Sequence, residues 1–190
     1  AGMTKKRILV FPCGSEIGLE IYCSIRFSIH FELIGGSSVE DHGRFVFENY
    51  IGDLPFHNAP EFLDVLQDLI ITQKIDAIYP AMDAVADTLK QLETTLGIPV
   101  SGSSAQTTAI AASKAETYAA LDGLVALPKQ HSSPDDADLT PLFIKPDQGY
   151  GSRGVALVHT AKDARAHIVA FPDKKMLLLE NLRFNPGEEA

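Results

Sequence analysis

The sequence is poor in sulfur ligands and has no tryptophan: its 190 residues include only two cysteines. Cys13 and Cys23 lie in apolar segments and form no C-x-x-C pair, so we expect two buried, reduced thiols rather than a disulfide or a zinc site. The six histidines show no H-x-H or H-E-x-x-H spacing, and no metal site is predicted. Reduced thiols are typical of cytoplasmic proteins, which is the location we expect.

Long apolar runs and clustered cations are also missing. No run approaches the roughly 18 residues of a membrane span, so no membrane association is predicted. The formal net charge of −9 argues against a surface that binds nucleic acid, because such surfaces need clustered Lys and Arg. A local basic pocket for a small phosphorylated ligand is compatible with this charge. With 45% hydrophobic and 22% charged residues, the composition is that of an ordinary globular protein.

Short apolar segments alternate with helical periodicity in the first half of the chain. Ser15 is the predicted N-cap of the first helix, Asn58 precedes the second, and Gly97 ends the third. The pattern predicts a parallel sheet covered on both faces, a Rossmann-like α/β domain. The predicted strands are 8–12, 31–36, 44–47, 75–80 and 98–102, and the predicted helices are 17–27, 60–74 and 83–96.

The pattern changes after the polar segment 101-SGSS-104, so we place a domain boundary near residue 103, with domains at 3–103 and 104–190. An Ala-rich helix that carries Lys114 comes first, followed by a polar, proline-containing loop. The remaining predicted elements are β-rich segments at 142–146 and 154–160, a helix at 162–170 and a strand at 175–182, after the helix at 105–122 and the loop at 128–141.

The segment 144-IKPDQGYGSRGVALV-158 spells G-x-G-x-x-G with Gly149, Gly151 and Gly154. A dinucleotide-binding fingerprint needs a helix after the glycines, whereas a strand-like run follows here. A P-loop needs Lys and Ser or Thr where Val155 and Ala156 stand. A dinucleotide-dependent oxidoreductase is therefore the least favoured function.

What this pattern favours is a glycine-rich loop that joins two antiparallel strands. Lys145 lies on the strand that enters the loop, and Ser152 and Arg153 lie within it. Such a loop is able to fold over a nucleotide and present backbone N–H groups to its phosphates, because glycine allows close backbone approach. An ordinary hairpin with a glycine turn is the alternative; the flanking cations favour phosphate binding.

Several segments together resemble ATP-grasp proteins of the branch related to the large subunit of carbamoyl phosphate synthase. The resemblance covers essentially the whole chain. It implies a Rossmann-like pre-ATP-grasp domain followed by an incomplete α+β ATP-grasp subdomain. The segments, in order, are 11-FPCGSEIGLEIYCSI-25, 113-SKAETYAAL-121, 142-LFIKPDQGYGSRGV-155, 177-LLLENL-182 and 186-PGEE-189.

The resemblance implies a phosphate-binding role for three features of the chain. Lys114 resembles the lysine on the helix that enters the ATP-grasp domain and reaches the phosphates. Lys145 resembles the strand lysine that binds the α- and β-phosphates. The segment from Gly149 to Gly154 resembles the loop that covers the triphosphate. Cations and backbone donors at these places suit phosphate oxygens.

The same resemblance implies contacts to the adenosine part. Glu180 resembles the acid that accepts from the adenine amino group, and Leu182 lies where backbone contacts the ring. Glu188 or Glu189 resembles the acid that holds the ribose hydroxyls, and the G-x-E spacing from Gly187 favours Glu189.

By this resemblance the complete protein is a Mg²⁺- and ATP-dependent carboxylate–amine ligase. It would convert a small, unidentified carboxylate into an acyl phosphate, relying on positioning and charge neutralisation. Family members continue beyond the point that matches Ala190 and carry their metal ligands there, so we expect little activity from this chain alone and identify no catalytic residue. The alternative is a non-catalytic nucleotide-binding or assembly module. A homo-oligomer or a complementing second chain is compatible with either.

Overall fold

The computed structural model describes residues 4–136, 141–149 and 151–182. The chain divides into two compact units, the first ending at Ala112 and the second beginning at Ser113. Among the described residues, no helix has the length and apolar character that a membrane crossing requires.

The first unit is built on a parallel sheet, as predicted. Its strand order is β3-β2-β1-β4, which is the order of the first strands in a doubly wound α/β sheet. Strand β1 is central, with Val10 paired to Gly35 of β2 and Leu9 paired to Ile78 of β4. The elements are β1 (Lys6–Phe11), α1 (Glu16–Ile25), β2 (Phe31–Gly36), α2 (Gly43–Val46), β3 (Asn49–Ile51), α3 (Phe62–Gln73), β4 (Ala77–Pro80), α4 (Asp83–Leu96) and α5 (Ala105–Ala112).

Both faces of this sheet are buried, because successive side chains of a strand point to opposite sides. Leu9 belongs to a core cluster with Leu66 of α3 and Leu89 of α4. Its neighbour Val10 belongs to a second cluster, which includes Phe47 and packs against α1. This explains why β1 is a continuous apolar run rather than an alternating one.

Two helix-boundary predictions are confirmed and one is wrong. The Ser15 hydroxyl accepts from the N–H of Gly18 at 3.0 Å and caps α1. Gly97 adopts the left-handed conformation and ends α4. Helix α3, however, begins at Phe62 rather than at Pro60. The N–H groups of Ala59 and Phe62 bond to carbonyl groups three residues back, so residues 56–62 form turns that precede the helix.

The predicted strand at 44–47 is wrong, because Gly43–Val46 is the short helix α2. The Asp41 carboxylate accepts from the N–H of Gly43 at 2.9 Å and starts this turn. The strand comes later, at Asn49–Ile51, and pairs with β2. The strand predicted at 98–102 is reduced to one parallel bridge between Ile78 and Val100.

The two cysteines differ in burial, although both are free. Cys13 is fully buried, as expected, beneath the end of β1. Cys23 is exposed, so the prediction that it is buried is wrong. The side chains of Ile21, Tyr22 and Ile25 pack toward the core, and Cys23 lies on the opposite side of α1.

The second unit contains an antiparallel sheet of order β5-β8-β6-β7. Leu142 and Ile144 of β6 point into its core with Val158 and Leu178, while Lys145 lies on the other face. The short strand β5 falls inside the segment predicted as a loop and pairs with β8. The elements are α6 (Lys114–Leu121), β5 (Gln130–His131), β6 (Leu142–Pro146), β7 (Ala156–Val158), α7 (Ala161–Val169) and β8 (Met176–Glu180).

The single helix predicted at 105–122 is wrong: α5 and α6 are separate helices divided at Ser113. This residue has extended backbone angles (φ −113°, ψ 123°), and its hydroxyl accepts from the N–H of Glu116. The same hydroxyl donates to the buried carboxylate of Asp147. Serine side chains that bond in this way favour a helix start over a helix interior, which explains the break.

Candidate functional site

The glycine-rich loop joins β6 to β7, and these strands are antiparallel, with Ile144 paired to Ala156. Gly149 has φ 134°, which side-chain-bearing residues rarely adopt. Gly154 has φ 80°, and a Cβ there would lie 3.1 Å from Cγ of Pro146. A strand follows Gly154, so the loop lacks the helix that a dinucleotide fingerprint requires.

Lys145 enters this loop from β6, where it pairs with Leu177 of β8. Its side chain is half-buried and leaves the sheet on the face opposite the core of the unit. The ammonium Nζ donates to the phenolic Oη of Tyr118 at 2.7 Å. Since Nζ is 5.2 Å from the ring centroid, it lies at the hydroxyl end of the ring, and the hydrogen bond dominates over any cation–π contact.

Lys114 is the first residue of α6, and its side chain reaches the same loop. Its Nζ donates to the carbonyl oxygen of Asp147 at 3.0 Å and lies 3.5 Å from that of Gly149. Lys114 and Tyr118 are four residues apart, so they share one face of α6. That face therefore contacts both the loop and the lysine that precedes it.

Asp147 anchors the start of the loop to the start of α6, and sequence reasoning missed it. Asp147 is 7% exposed, and its carboxylate accepts from the Ser113 hydroxyl at 2.9 Å and from the N–H of Ala115 at 2.8 Å. Lys175 Nζ lies 3.8 Å from Oδ2. The positive end of the helix dipole of α6 also stabilises the negative charge of the Asp147 carboxylate. The available signal was an acidic residue directly after a buried strand.

Both lysine ammonium groups keep their charge uncompensated within the described part of the chain. Neither Lys114 nor Lys145 lies within ion-pair distance of a carboxylate there, and their partners are neutral oxygens. Lys90, in contrast, pairs with Glu93 at 2.7 Å. Ser152 and Arg153 are exposed within the glycine-rich loop, and Ser152 has φ 56°. The arrangement concentrates positive charge at a loop with backbone N–H groups, which suits an anion.

The residues implied for adenosine lie at and beyond the end of β8. The N–H of Glu180 donates to the carbonyl of Lys129 at 2.9 Å, and Oε1 of Glu180 accepts from the N–H of Lys129 at 2.9 Å. The Glu180 side chain is exposed, and Leu182 is 68% exposed. Glu188 and Glu189 lie outside the described residues.

A magnesium site is not found in the described part of the chain. No group of three His, Cys, Asp or Glu side chains there is arranged to hold a metal ion. The described residues therefore provide no cluster of metal ligands.

Comparison with known proteins shows the fold. No family model and no curated protein sequence matches the chain. The L-amino acid ligase from Bacillus licheniformis superposes with a TM-score of 0.65 at 15% identity, over 96% of this chain and 45% of that one. Biotin carboxylase from Campylobacter jejuni, solved with β,γ-ATP, gives 0.67 at 16% identity, over 95% and 46% of the two chains. N5-carboxyaminoimidazole ribonucleotide synthetase from Thermotoga maritima gives 0.64 at 18%, over 95% and 46%.

These three proteins are ATP-grasp enzymes. The chain has the fold of one part of such an enzyme, and it spans less than half of the length of each of the three. The resemblance inferred from the sequence is confirmed at the level of the fold.

Proposed function

We propose that this chain is the ATP-binding part of an ATP-grasp carboxylate–amine ligase similar to carbamoyl phosphate synthase. The observation that carries the proposal is a pair of ammonium groups without a carboxylate partner among the described residues: that of Lys114 contacts the start of the glycine-rich loop, and that of Lys145, on the strand entering the loop, contacts Tyr118 of the same helix. Phosphate oxygens are the natural acceptors for donors that keep their charge in this way.

Different residues bind the phosphates, the adenine and the ribose of the nucleotide. Lys114, Lys145 and the N–H groups of the loop from Gly149 to Gly154 hold the phosphates, with Ser152 and Arg153 on the loop adding a hydroxyl and a cation. Glu180 accepts from the adenine amino group, the backbone at Leu182 borders the ring, and Glu189 holds the ribose. ATP supplies the phosphoryl group that turns a small carboxylate into an acyl phosphate, which an amine then attacks.

The contribution of this chain is binding and charge neutralisation rather than a covalent nucleophile. The described residues contain no metal cluster, so no step that needs Mg²⁺ is assigned to them. We propose that the metal ligands of the ligase lie outside the described residues, and we expect this chain alone to form no acyl phosphate.

Calorimetric titration with ATP, ADP and NADH tests the proposal. The chain is expected to bind ATP and ADP, and Lys145→Ala is expected to weaken this binding, while Lys162→Ala on the exposed start of α7 serves as the matched control. Binding of NADH in preference to ATP would contradict the proposal. Acyl phosphate formation by the chain alone would contradict the expectation that this chain only binds the nucleotide. ATP binding without any ligase activity after a complementing chain is added would favour the non-catalytic module.

A further inference from the structure

Tyr118 is the hydrogen-bond partner of Lys145, and no sequence motif indicated a role for this tyrosine. Its phenolic oxygen accepts from Lys145 Nζ at 2.7 Å, across 27 positions of sequence. One helical turn earlier on the same face, Lys114 contacts the start of the glycine-rich loop. Helix α6 thus presents one cation to the loop and holds a second cation beside it.

We propose that Tyr118 is a positioning residue that fixes the ammonium of Lys145 for a nucleotide phosphate; this inference rests on the proposed function. The side chain of lysine carries about 2 kcal/mol of rotamer entropy, so an unheld ammonium would lose much of that freedom when it binds. A hydrogen bond made in advance removes part of this cost.

The chemistry of the partner matters as much as its position. A carboxylate would hold Lys145 more tightly but would also neutralise the charge that a phosphate needs. A phenol supplies a neutral acceptor and takes only one of the three ammonium donors, which leaves two for phosphate oxygens. The Tyr118 hydroxyl therefore orients the charge and preserves it.

The variant Tyr118→Phe removes only the hydroxyl, and it is compared with Lys145→Met, with the double variant and with Tyr22→Phe. Tyr22 packs on Phe47 in the first unit and is the matched control. ATP and AMP are titrated into each by calorimetry, and circular dichroism melting establishes that each variant is folded. We expect Tyr118→Phe to weaken ATP binding by roughly three- to tenfold, because part of the cost of ordering the Lys145 side chain is then paid on binding. AMP binding should change by less than twofold.

The double variant separates positioning from a general structural role. If Tyr118 acts through Lys145, Tyr118→Phe has no further effect on ATP affinity once Lys145 is Met. Equal weakening in both backgrounds, or unchanged ATP affinity in Tyr118→Phe, overturns the inference and leaves the proposed function intact. If the wild-type chain does not bind ATP, or if Lys145→Met binds it as tightly as wild type, the proposed function and the inference fall together.

Discussion

The hydroxyl of Ser113 donates to both carboxylate oxygens of Asp147, at 2.9 and 3.0 Å, and so joins the start of helix α6 to the start of the glycine-rich loop. Both residues are buried, with 6% and 7% of their surfaces exposed. Lys114 follows Ser113 directly, and its Nζ donates to the carbonyl oxygen of Asp147. The relative position of helix and loop therefore depends on this pair.

Ser113→Ala should destabilise the protein by about 2–3 kcal/mol, since it removes a helix cap and one partner of a buried carboxylate. Thr160→Ala is the matched control, because Thr160 caps α7 by accepting from the N–H of Asp163 but has no buried carboxylate to satisfy. Thr160→Ala should lower the free energy of unfolding by only about 1 kcal/mol. Urea denaturation followed by circular dichroism measures both. Equal losses would show that Asp147 does not depend on the serine.

Alanine substitution at two glycines of the glycine-rich loop should lower the free energy of unfolding by different amounts. Gly151 has φ 63° and open space where a Cβ would stand, so Gly151→Ala should cost only the backbone strain, about 1 kcal/mol. Gly154 combines φ 80° with a Cβ position 3.1 Å from Pro146, so Gly154→Ala should cost about 1 kcal/mol more. The free energies of unfolding in urea give the comparison, and a loss at Gly151 as large as that at Gly154 would contradict it.

The two thiols should react very differently. Burial, together with a smaller contribution from the charge of Asp41, raises the pKa of the Cys13 thiol to about 12. Thiolates are the reactive species, so Cys13 should resist iodoacetamide at about pH 8 while the exposed Cys23 reacts. Mass spectrometry should find one modification in the folded protein and two in urea. Two in the folded protein would contradict the burial of Cys13.

Stability should fall below neutral pH in part because of His57. Burial lowers the pKa of this imidazole below 6.5, and the charge of Asp87 opposes the shift only partly. The unfolded chain then binds the proton first, so this contribution is complete above about pH 6.5 and is lost as the pH falls through the lower folded pKa. His57→Gln should reduce the decrease in unfolding free energy between about pH 7 and about pH 5. An unchanged slope in His57→Gln would refute the assignment.

The parallel sheet was predictable from sequence because its signals are local. Apolar runs define β1 and β4, and the Ser15 cap and Gly97 stop act within their own helices. The wrong predictions have local causes, such as the Asp41 carboxylate that starts α2, as well as distant ones. The S-x-x-E spacing from Ser113 to Glu116 is a local signal for a helix start that the prediction of one continuous helix overlooked, whereas the bond from Ser113 to Asp147, 34 residues away, could not be predicted.

The candidate site likewise contains residues that could be predicted from the sequence and residues that could not. Lys145 and the glycines were predicted from their spacing and from the resemblance, and Lys114 was predicted from the resemblance alone. The residues that position them, Tyr118 and Asp147, became visible only when folding placed α6 beside the loop. The sequence shows which charged residues are present, whereas tertiary contacts determine which of them lack an oppositely charged partner.

The central claim is that the ammonium groups of Lys114 and Lys145, which have no carboxylate partner among the described residues, bind nucleotide phosphates. The most direct measurement is the ratio of the dissociation constants for AMP and ATP, determined by calorimetry for the wild-type chain and for Lys145→Met. The account predicts that wild type prefers ATP by roughly tenfold or more and that Lys145→Met loses most of this preference, since a hydrogen bond to a charged group contributes about 1.5–3 kcal/mol. Equal affinity of the wild-type chain for AMP and ATP, or a preference that survives in Lys145→Met, would contradict it.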